Sequence, residues 1–348
     1  DSSPDRWGQT LMRRRETLQA KDEKRTARTL YSWDFLLGVQ DITRQGALRF
    51  RFSDSNTFLA NEALAAPPIT SLAELATIAK ELTRKHIDNL DQLRRWLAVL
   101  VAPGASLGGA RPKANFCDKT GTLWIAKFPA AEDDRDIGAW EGVTWWLARQ
   151  AGIDMPLAKV ERLGQGGHHT FCIQRFDRTA AKDEKPERRR FYASAMTLLG
   201  KDISEGTSYL ELAEFLARRG DPEHIHVDLE QLFRRVVFNI VVGNRDDHLR
   251  NHGFILGKKG WRLAPAFDVN PSIDKATHVL NIDDIDNRPS LETVLATAAF
   301  YRLTPKRAKE MIDGIVNVVA EWKAVARRAK IAAADIELSA SAFSALEL

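Results

Sequence analysis

The stretch from Asp228 to Pro271 constrains the fold more than any other part of the sequence. Apolar residues recur in its first third at steps of three and four, which predicts an amphipathic helix with one buried side. They are Leu229, Leu232, Phe233, Val236, Val237, Ile240 and Val241. Gly243 ends the predicted helix, and a polar loop extends to Asn251. Two short apolar runs, Gly253 to Leu256 and Trp261 to Pro265, then predict a β-hairpin.

The loop carries residues suited to phosphoryl transfer. Asp246 and Asn251 have the spacing Asp-x-x-x-x-Asn, and Asp268 follows the predicted hairpin, an order found in protein kinases. Asn251 and Asp268 supply hard oxygen ligands for Mg²⁺, and Asp246 would accept the proton of an attacking hydroxyl. His248 lies in the same loop, where it would contact phosphates or orient Asp246. Taken alone the loop is equally well a solvated turn, but the later aspartate favours a site.

A glycine-rich run from Ser106 to Lys113 is a second candidate site. Paired glycines let backbone N–H groups approach a phosphate closely, and the run leads into two predicted strands, Ala114 to Asp118 and Thr122 to Phe128. The residues expected to bind the nucleotide here are Ser106, Gly108, Gly109, Ala110 and Lys113.

Lys127 lies on the second of these strands and shares a face with Leu123 and Ile125. A lysine in that position is unusual unless it meets an anion, so we expect it to contact ATP phosphates. The alternative is an edge strand from which the lysine reaches water. The helix predicted from Gly138 to Gln150 carries Glu141, which would support the lysine, although surface glutamates are common.

At 348 residues the chain can bury a sizeable core, and we expect two lobes, residues 1–176 and 177–348. At their boundary, the backbone of Gln174 to Phe176 would pair with the adenine edge, with Phe176 as an apolar face. A simple strand end explains this segment equally well. We also expect a strand from Ala47 to Phe52, one helix from Ser290 to Tyr301 and another from Pro305 to about Arg328.

Composition excludes several classes. With 44% hydrophobic and 28% charged residues and a net charge of +4, the chain is typical of soluble proteins. No apolar run is long enough for a membrane span and no signal peptide is recognisable, so we expect a cytoplasmic protein without a membrane partner. Cys117 and Cys172 are too few for a disulfide scaffold, and the basic runs lack the interleaved aromatics of a nucleic-acid surface.

Six segments together resemble the HipA-type serine/threonine kinases, the toxins of type II toxin–antitoxin modules. The segments are Ser3 to Gly8, Ser106 to Lys113, Ile125 to Pro129, Arg175 to Arg178, Gly243 to Asn251 and Ala266 to Asp268. The resemblance implies a protein-kinase-like, bilobal α+β fold with a mixed α/β N-lobe and an all-helical C-lobe. It implies ATP and Mg²⁺ as cofactors, with Asp246 as base, Asn251 and Asp268 on the metal, and Lys127 on the phosphates.

The resemblance further implies that Ser106 is autophosphorylated and that the partner is a helix-turn-helix, HipB-like antitoxin, which brings the protein to operator DNA. Aminoacyl-tRNA synthetases are the expected protein substrates. Arg111 and Pro112 depart from the family's usual loop residues. The family's N-terminal β-rich subdomain is not represented before Asp1, and we expect it to be cut away, disordered or a separate partner protein. A small-molecule phosphotransferase and a non-catalytic subunit of an antitoxin–DNA repressor complex are the alternative functions.

Overall fold

The computed structural model describes residues 1–60, 72–83, 111–163, 167–179 and 188–346. Backbone contacts divide the chain into two compact units. The first comprises Asp1–Asp134 and Ala158–Tyr192, and the second comprises Arg135–Leu157 and Ala193–Leu348. This division differs from the predicted one at Phe176, because the helix that contains Glu141 packs into the core of the C-terminal half.

The first unit combines helices with an antiparallel sheet. Its described helices are α1 (Arg6–Asp22), α2 (Ser32–Gly38) and α3 (Leu72–Thr83). Its described strands are β1 (Lys113–Cys117), β2 (Leu123–Lys127), β3 (Ala158–Glu161) and β4 (Thr170–Gln174), in the sheet order β1-β2-β4-β3. The two strands predicted after the glycine-rich run are thus confirmed, and β2 has a neighbour on each side rather than an edge.

One face of this sheet packs against α1 and α3. The residues that form this core include Trp7, Leu11, Leu75, Phe116, Ala126, Phe128 and Cys172. A buried ion pair ties the start of α1 to β1: the Lys113 Nζ atom lies 2.9 Å from the Asp5 carboxylate, and both side chains are almost completely buried. The Trp7 indole N–H donates to the Lys113 carbonyl at 3.2 Å, so the same β1 residue contacts two positions near the N-terminus.

The predicted strand from Ala47 to Phe52 is wrong, because the segment pairs with no strand among the residues that the structure describes. Leu48 and Phe52 are exposed, so the alternation has no buried face that would hold the segment against a neighbouring strand. The Arg49 guanidinium instead binds the Asp41 carboxylate, and the backbone closes on itself through a hydrogen bond from the Leu59 N–H to the Phe50 carbonyl at 2.8 Å.

The second unit is rich in helices. They are α4 (Ile137–Gln150), α5 (Ala195–Leu198), α6 (Tyr209–Arg219), α7 (Ile225–Val241), α8 (Leu291–Ala296), α9 (Pro305–Ala320), α10 (Trp322–Arg328) and α11 (Ala333–Ser339). The predicted helix before Gly243 corresponds to α7, whose apolar side is buried at the centre of the unit's core.

The C-terminal half is not all-helical, which corrects the predicted fold class. Strands β5 (Tyr192–Ser194), β6 (Gly253–Leu256) and β7 (Trp261–Leu263) form a sheet with β6 in the middle, and β6 and β7 are the predicted hairpin. Hairpin residues such as Phe254 are buried against α6, where the Phe254 ring meets Phe215 edge-on with centroids 5.0 Å apart. The sheet is therefore part of the core of this unit.

The two predicted C-terminal helices are each broken. The first ends at Ala296 and continues as a 3₁₀ turn, Ala298–Tyr301, after the Thr297 hydroxyl donates to the Val294 carbonyl at 2.8 Å. The second breaks between α9 and α10, where Trp322 turns inward and stacks on Phe343 with ring centroids 4.0 Å apart. Within the described ranges, each helix is too short or too polar to cross a membrane.

The Asp5–Lys113 pair predicts a large stability effect in the first unit. Lys113→Met would remove a buried positive charge from beside the buried Asp5 carboxylate, and we expect the free energy of unfolding to fall by about 3–5 kcal/mol. Lys159→Met, which removes a half-exposed pair with Glu161 in the same sheet, serves as the control and should cost about 1 kcal/mol or less. Urea unfolding followed by tryptophan fluorescence measures both, and equal losses would contradict a stabilising role for the buried pair.

Candidate functional site

The candidate catalytic loop starts from a fixed point at the end of α7. Gly243 has φ +66°, and a Cβ atom there would lie 2.1 Å from the Ala342 carbonyl oxygen, so only glycine fits. The Gly243 carbonyl accepts hydrogen bonds from the Arg245 and Ser272 N–H groups, each at 2.9 Å. The direction in which the chain leaves the helix is therefore set by backbone contacts before the acidic residues are reached.

Asp247 anchors this loop to the core of the second unit. Its fully buried carboxylate accepts hydrogen bonds from the Tyr209 hydroxyl at 2.6 Å, the Asn239 amide at 2.7 Å and the His252 ring at 2.7 Å. Burial by itself opposes ionisation of this carboxyl. Electrostatic attraction to His252, together with the hydrogen bonds from His252 and Tyr209, outweighs burial and lowers the pKa of Asp247 below its ordinary value of 3.8.

Asp246, unlike Asp247, lies at the surface. Its side chain is 62% exposed, and its carboxylate meets the ammonium group of Lys275. Asn251, the residue with kinase spacing, ends a short 3₁₀ turn and is buried, with its amide 3.5 Å from the Asp246 carbonyl. The loop therefore brings the buried Asn251 side chain to the backbone of Asp246, whose own carboxylate is exposed, and these two predicted residues are close in space.

His248 is half-buried between these positions. Its Nδ1 atom is enclosed and has no hydrogen-bond partner among the described residues. The backbone immediately after it is fixed, because the Leu249 N–H donates to the Ser204 hydroxyl at 3.1 Å. The His248 ring therefore lies within the loop, as predicted. Its contact with phosphates stays a prediction.

Asp268 has a backbone conformation that few aspartates adopt. Its φ of +60° lies in the left-handed region, which costs a residue with a side chain about 1 kcal/mol or more. Flanking contacts enforce it: the Ala266 N–H donates to the Asp154 carbonyl at 2.8 Å, and the Thr144 hydroxyl donates to the Val269 carbonyl at 2.5 Å. Such local strain is common where a side chain must point in one particular direction.

The hairpin that leads to Asp268 is attached to α7 by two arginines. Arg262 binds the buried Asp228 carboxylate through two nitrogens, at 2.8 and 3.1 Å. The buried Arg235 guanidinium donates to the Ala264 carbonyl at 2.6 Å, and burial lowers its pKa to about 10. Arg235 also borders a cavity of about 10 Å³, room for about one water molecule, whose walls include Asp247 and Asn251.

The predicted phosphate-binding residues of the first unit are only partly described. Ser106, Gly108, Gly109 and Ala110 lie outside the described residues. Lys127 ends β2, half-buried, with its Nζ atom 5.9 Å from the centre of the Phe171 ring. The ammonium of Lys113 is already paired with Asp5, so its predicted contact with a phosphate would have to compete with that ion pair. Glu141 is buried on α4, in the second unit.

Gln174 and Phe176 flank a buried charge cluster that the sequence did not reveal. Gln174 lies opposite Trp124 at the end of β4, and the Phe176 ring packs on Tyr192 with centroids 5.8 Å apart. Arg175 lies between these two residues in the sequence, and Arg178 lies after them. Both guanidinium groups bind the buried carboxylate of Asp177. Burial opposes ionisation of Asp177, but the two guanidinium groups outweigh it and lower its pKa to about 2.

This cluster binds the loop of residues 41–46 to the segment that follows β4, within the first unit. The Gly46 N–H donates to the Asp177 carboxylate at 2.7 Å, and both arginines donate to carbonyl groups of that loop. The Arg-Phe-Asp-Arg segment therefore stabilises the fold, whatever its backbone does with a nucleotide. An Asp between two Arg residues next to a buried strand is the signal that would have indicated this role.

Comparison with known proteins decides the family. Residues 105–322 match the family model of the HipA-like C-terminal domain, which is more than half of the chain. The chain belongs to the HipA family. A kinase-like protein of Haemophilus influenzae is 29% identical over 183 residues, covering 47% of this chain and 52% of that protein. The serine/threonine-protein kinase toxin HipA of Shewanella oneidensis is 27% identical over 191 residues, covering 48% of this chain and 43% of that protein.

A solved structure shows that the HipA likeness extends to the fold. The Shewanella oneidensis complex of HipA, HipB and operator DNA contains a chain that superposes with a TM-score of 0.53 at 19% identity, over 68% of this chain and 62% of that one. The predicted family and the mixed α/β fold are thus confirmed. This HipA-family chain spans about half the length of the curated relatives it matches.

Asp247, Asn239, Tyr209 and His252 were missed by sequence reasoning, and they yield a prediction. Asp247→Asn removes the buried charge on which the hydrogen bonds of this cluster converge, and we expect a loss of about 3 kcal/mol in the free energy of unfolding near neutral pH. Because the pKa of Asp247 is lowered on folding, its stabilisation is complete above the ordinary pKa of 3.8 and lost as pH falls through the lower folded value. The difference in the free energy of unfolding between the variant and the wild type should therefore become smaller at acidic pH.

Urea unfolding of both proteins across the acid range measures this difference. Asp284→Asn removes an exposed carboxylate from the same unit and should change stability little at any pH. A difference between Asp247→Asn and the wild type that is constant with pH would show that shape alone, rather than the ionised carboxylate, anchors the loop.

Proposed function

We propose that the protein is an ATP- and Mg²⁺-dependent protein serine/threonine kinase and acts as the toxin of a HipA–HipB-type module. The observation that carries this proposal is the loop in which buried Asp247 leaves Asp246 exposed, with Asn251 beside it. That arrangement offers a proton acceptor and an oxygen ligand at kinase spacing. The named serine/threonine kinase toxin among the relatives supports the same reaction.

Each residue then has a defined part in the reaction. Asp246 orients the acceptor hydroxyl and accepts its proton, as its exposure allows. Asn251 and Asp268 would hold Mg²⁺, since amide and carboxylate oxygens are the ligands that this ion prefers. The ion would neutralise charge on the phosphate oxygens during transfer. His248, within the loop, contacts the phosphates.

Residues of the first unit bind the nucleotide in this proposal. Lys127 binds the phosphates, and the run from Ser106 to Lys113 covers them with its backbone N–H groups. The backbone of Gln174 to Phe176 pairs with the adenine, and Glu141 supports Lys127.

The partners follow from the relatives rather than from the chain alone. The Shewanella oneidensis HipA was solved with HipB and operator DNA, which supports a HipB-like helix-turn-helix antitoxin as partner here and DNA contact through it. We further propose that the substrate is a protein, an aminoacyl-tRNA synthetase in particular. A separate protein that supplies the N-terminal β-rich subdomain would be a further partner.

Substitution of the proposed base gives the first test of the activity. Asp246→Asn should lower phosphoryl transfer from radiolabelled ATP by at least about 100-fold, because the carboxylate that accepts the proton is lost. ATP binding, measured by calorimetry with Mg²⁺, should change little, because the phosphates and the metal have other ligands. Asp274→Asn, which removes an exposed carboxylate between the contact residues Ser272 and Lys275, is the matched control.

The fate of the label decides between the proposed kinase and other functions. Incubation with a cell lysate should place label on protein. Label on a small metabolite would instead indicate a small-molecule phosphotransferase, and no transfer by the wild type under any condition would leave a non-catalytic role in an antitoxin–DNA complex.

Self-modification is a separate prediction. After incubation with ATP and Mg²⁺, mass spectrometry should find phosphate on Ser106 in the wild type and none in Asp246→Asn, since the same base would serve both reactions. Ser106→Ala should remove the label, whereas Ser53→Ala, in an exposed loop of the same unit, should not. Phosphate found elsewhere but never on Ser106 would exclude self-silencing through this loop.

A further inference from the structure

The segment after Asp268 is fastened directly to the candidate catalytic loop. The Ser272 N–H donates to the Gly243 carbonyl at 2.9 Å, and the Arg245 N–H donates to the Ser272 hydroxyl at 3.2 Å. The buried Arg245 guanidinium donates to the Lys275 carbonyl at 2.7 Å. The residue just before Asp246 therefore fixes the backbone of Lys275.

These contacts place the positively charged ammonium group of Lys275 beside the carboxylate of the proposed base, Asp246. The Lys275 ammonium binds the Oδ1 atom of Asp246 and, within the described part of the chain, is the only hydrogen-bond donor to that carboxylate. Both side chains are substantially exposed, 44% for Lys275 and 62% for Asp246. An exposed ion pair of this kind contributes about 0–1 kcal/mol to the free energy of unfolding. A contribution to stability therefore does not explain why several hydrogen bonds hold Lys275 next to Asp246.

We propose that Lys275 is a positioning residue for phosphoryl transfer, an inference that rests on the proposed kinase function. By binding Oδ1 it fixes the rotation of the Asp246 carboxylate and leaves Oδ2 to meet the acceptor hydroxyl. During transfer the hydroxyl oxygen bonds to the γ-phosphorus and its proton passes to Oδ2. The bond from the γ-phosphorus to the bridging oxygen breaks, and ADP leaves with the electron pair. Lys275 keeps its proton throughout and acts through Asp246.

Three variants test this role. Lys275→Met keeps the length of the side chain and removes the charge, and Lys275→Arg keeps the charge. Lys309→Met is the matched control, because it breaks another exposed Lys–Asp pair, with Asp313 at 2.6 Å, on helix α9. Transfer is measured with radiolabelled ATP to the acceptor that the wild type labels most heavily, and thermal unfolding is followed for each variant.

We expect Lys275→Met to lower kcat by about 10- to 100-fold, which is part of the contribution that a positioned base makes to proton transfer. The KM and Kd for ATP should stay within about threefold of the wild-type values. Lys275→Arg should recover most of the rate, and Lys309→Met should match the wild type. All variants should unfold at nearly the same temperature, since the pair is exposed.

A double-mutant comparison shows whether Lys275 works through Asp246. In the Asp246→Asn background, Lys275→Met should cause no further loss, whereas independent contributions would multiply. The inference is overturned if Lys275→Met equals Lys309→Met, if it raises the rate as release of an inhibitory contact would, or if it weakens ATP binding as much as transfer. An inactive wild type would instead overturn the proposed function itself, so the two failures are distinguishable.

Discussion

A carboxylate taken out of water must receive hydrogen bonds and compensating charge, and Asp247 receives them from residues on α6, on α7 and at the start of β6. Asp247 is thereby held in the core, while Asp246, in the turn just before it, stays at the surface. The proposed base is therefore an exposed residue next to a buried anchor. Removing the anchor would loosen the base and Asn251 together, since both lie within four residues of it.

The same unit uses charge a second time to place Asp268. Arg262 and Arg235 attach the β6–β7 hairpin to α7, the helix that also leads into the candidate catalytic loop. Contacts on both sides then hold Asp268 in a left-handed backbone conformation that it would rarely adopt alone. The loop and the later aspartate thus share one support, which is consistent with Asn251 and Asp268, 17 positions apart in the chain, serving one metal ion in the proposed mechanism.

The HipA likeness covers the loop, the hairpin and the later aspartate, but the chain spans only about half of its curated relatives. The family resemblance suggests chemical roles for these residues, whereas the fold determines where they lie. The buried Arg175–Asp177–Arg178 cluster illustrates the limit of assigning roles by resemblance. A segment noted for its likeness to kinase-toxin sequences has, in this structure, a stabilising role within the first unit.

The sequence by itself determined α7, the β6–β7 hairpin and the β1–β2 pair, because periodicity and residue spacing are local properties. It also suggested Asp246, Asn251 and Asp268 as site residues, which stay predictions. It also indicated the family. Only the tertiary structure decided that residues 47–52 form no strand, that α4 packs with the C-terminal half, and that Asp247 rather than Asp246 is buried. The spacing to Asn251 singles out Asp246 but does not show which of the two adjacent aspartates is buried. Their difference comes from Tyr209, Asn239, His252 and Lys275, whose positions depend on contacts between distant parts of the chain.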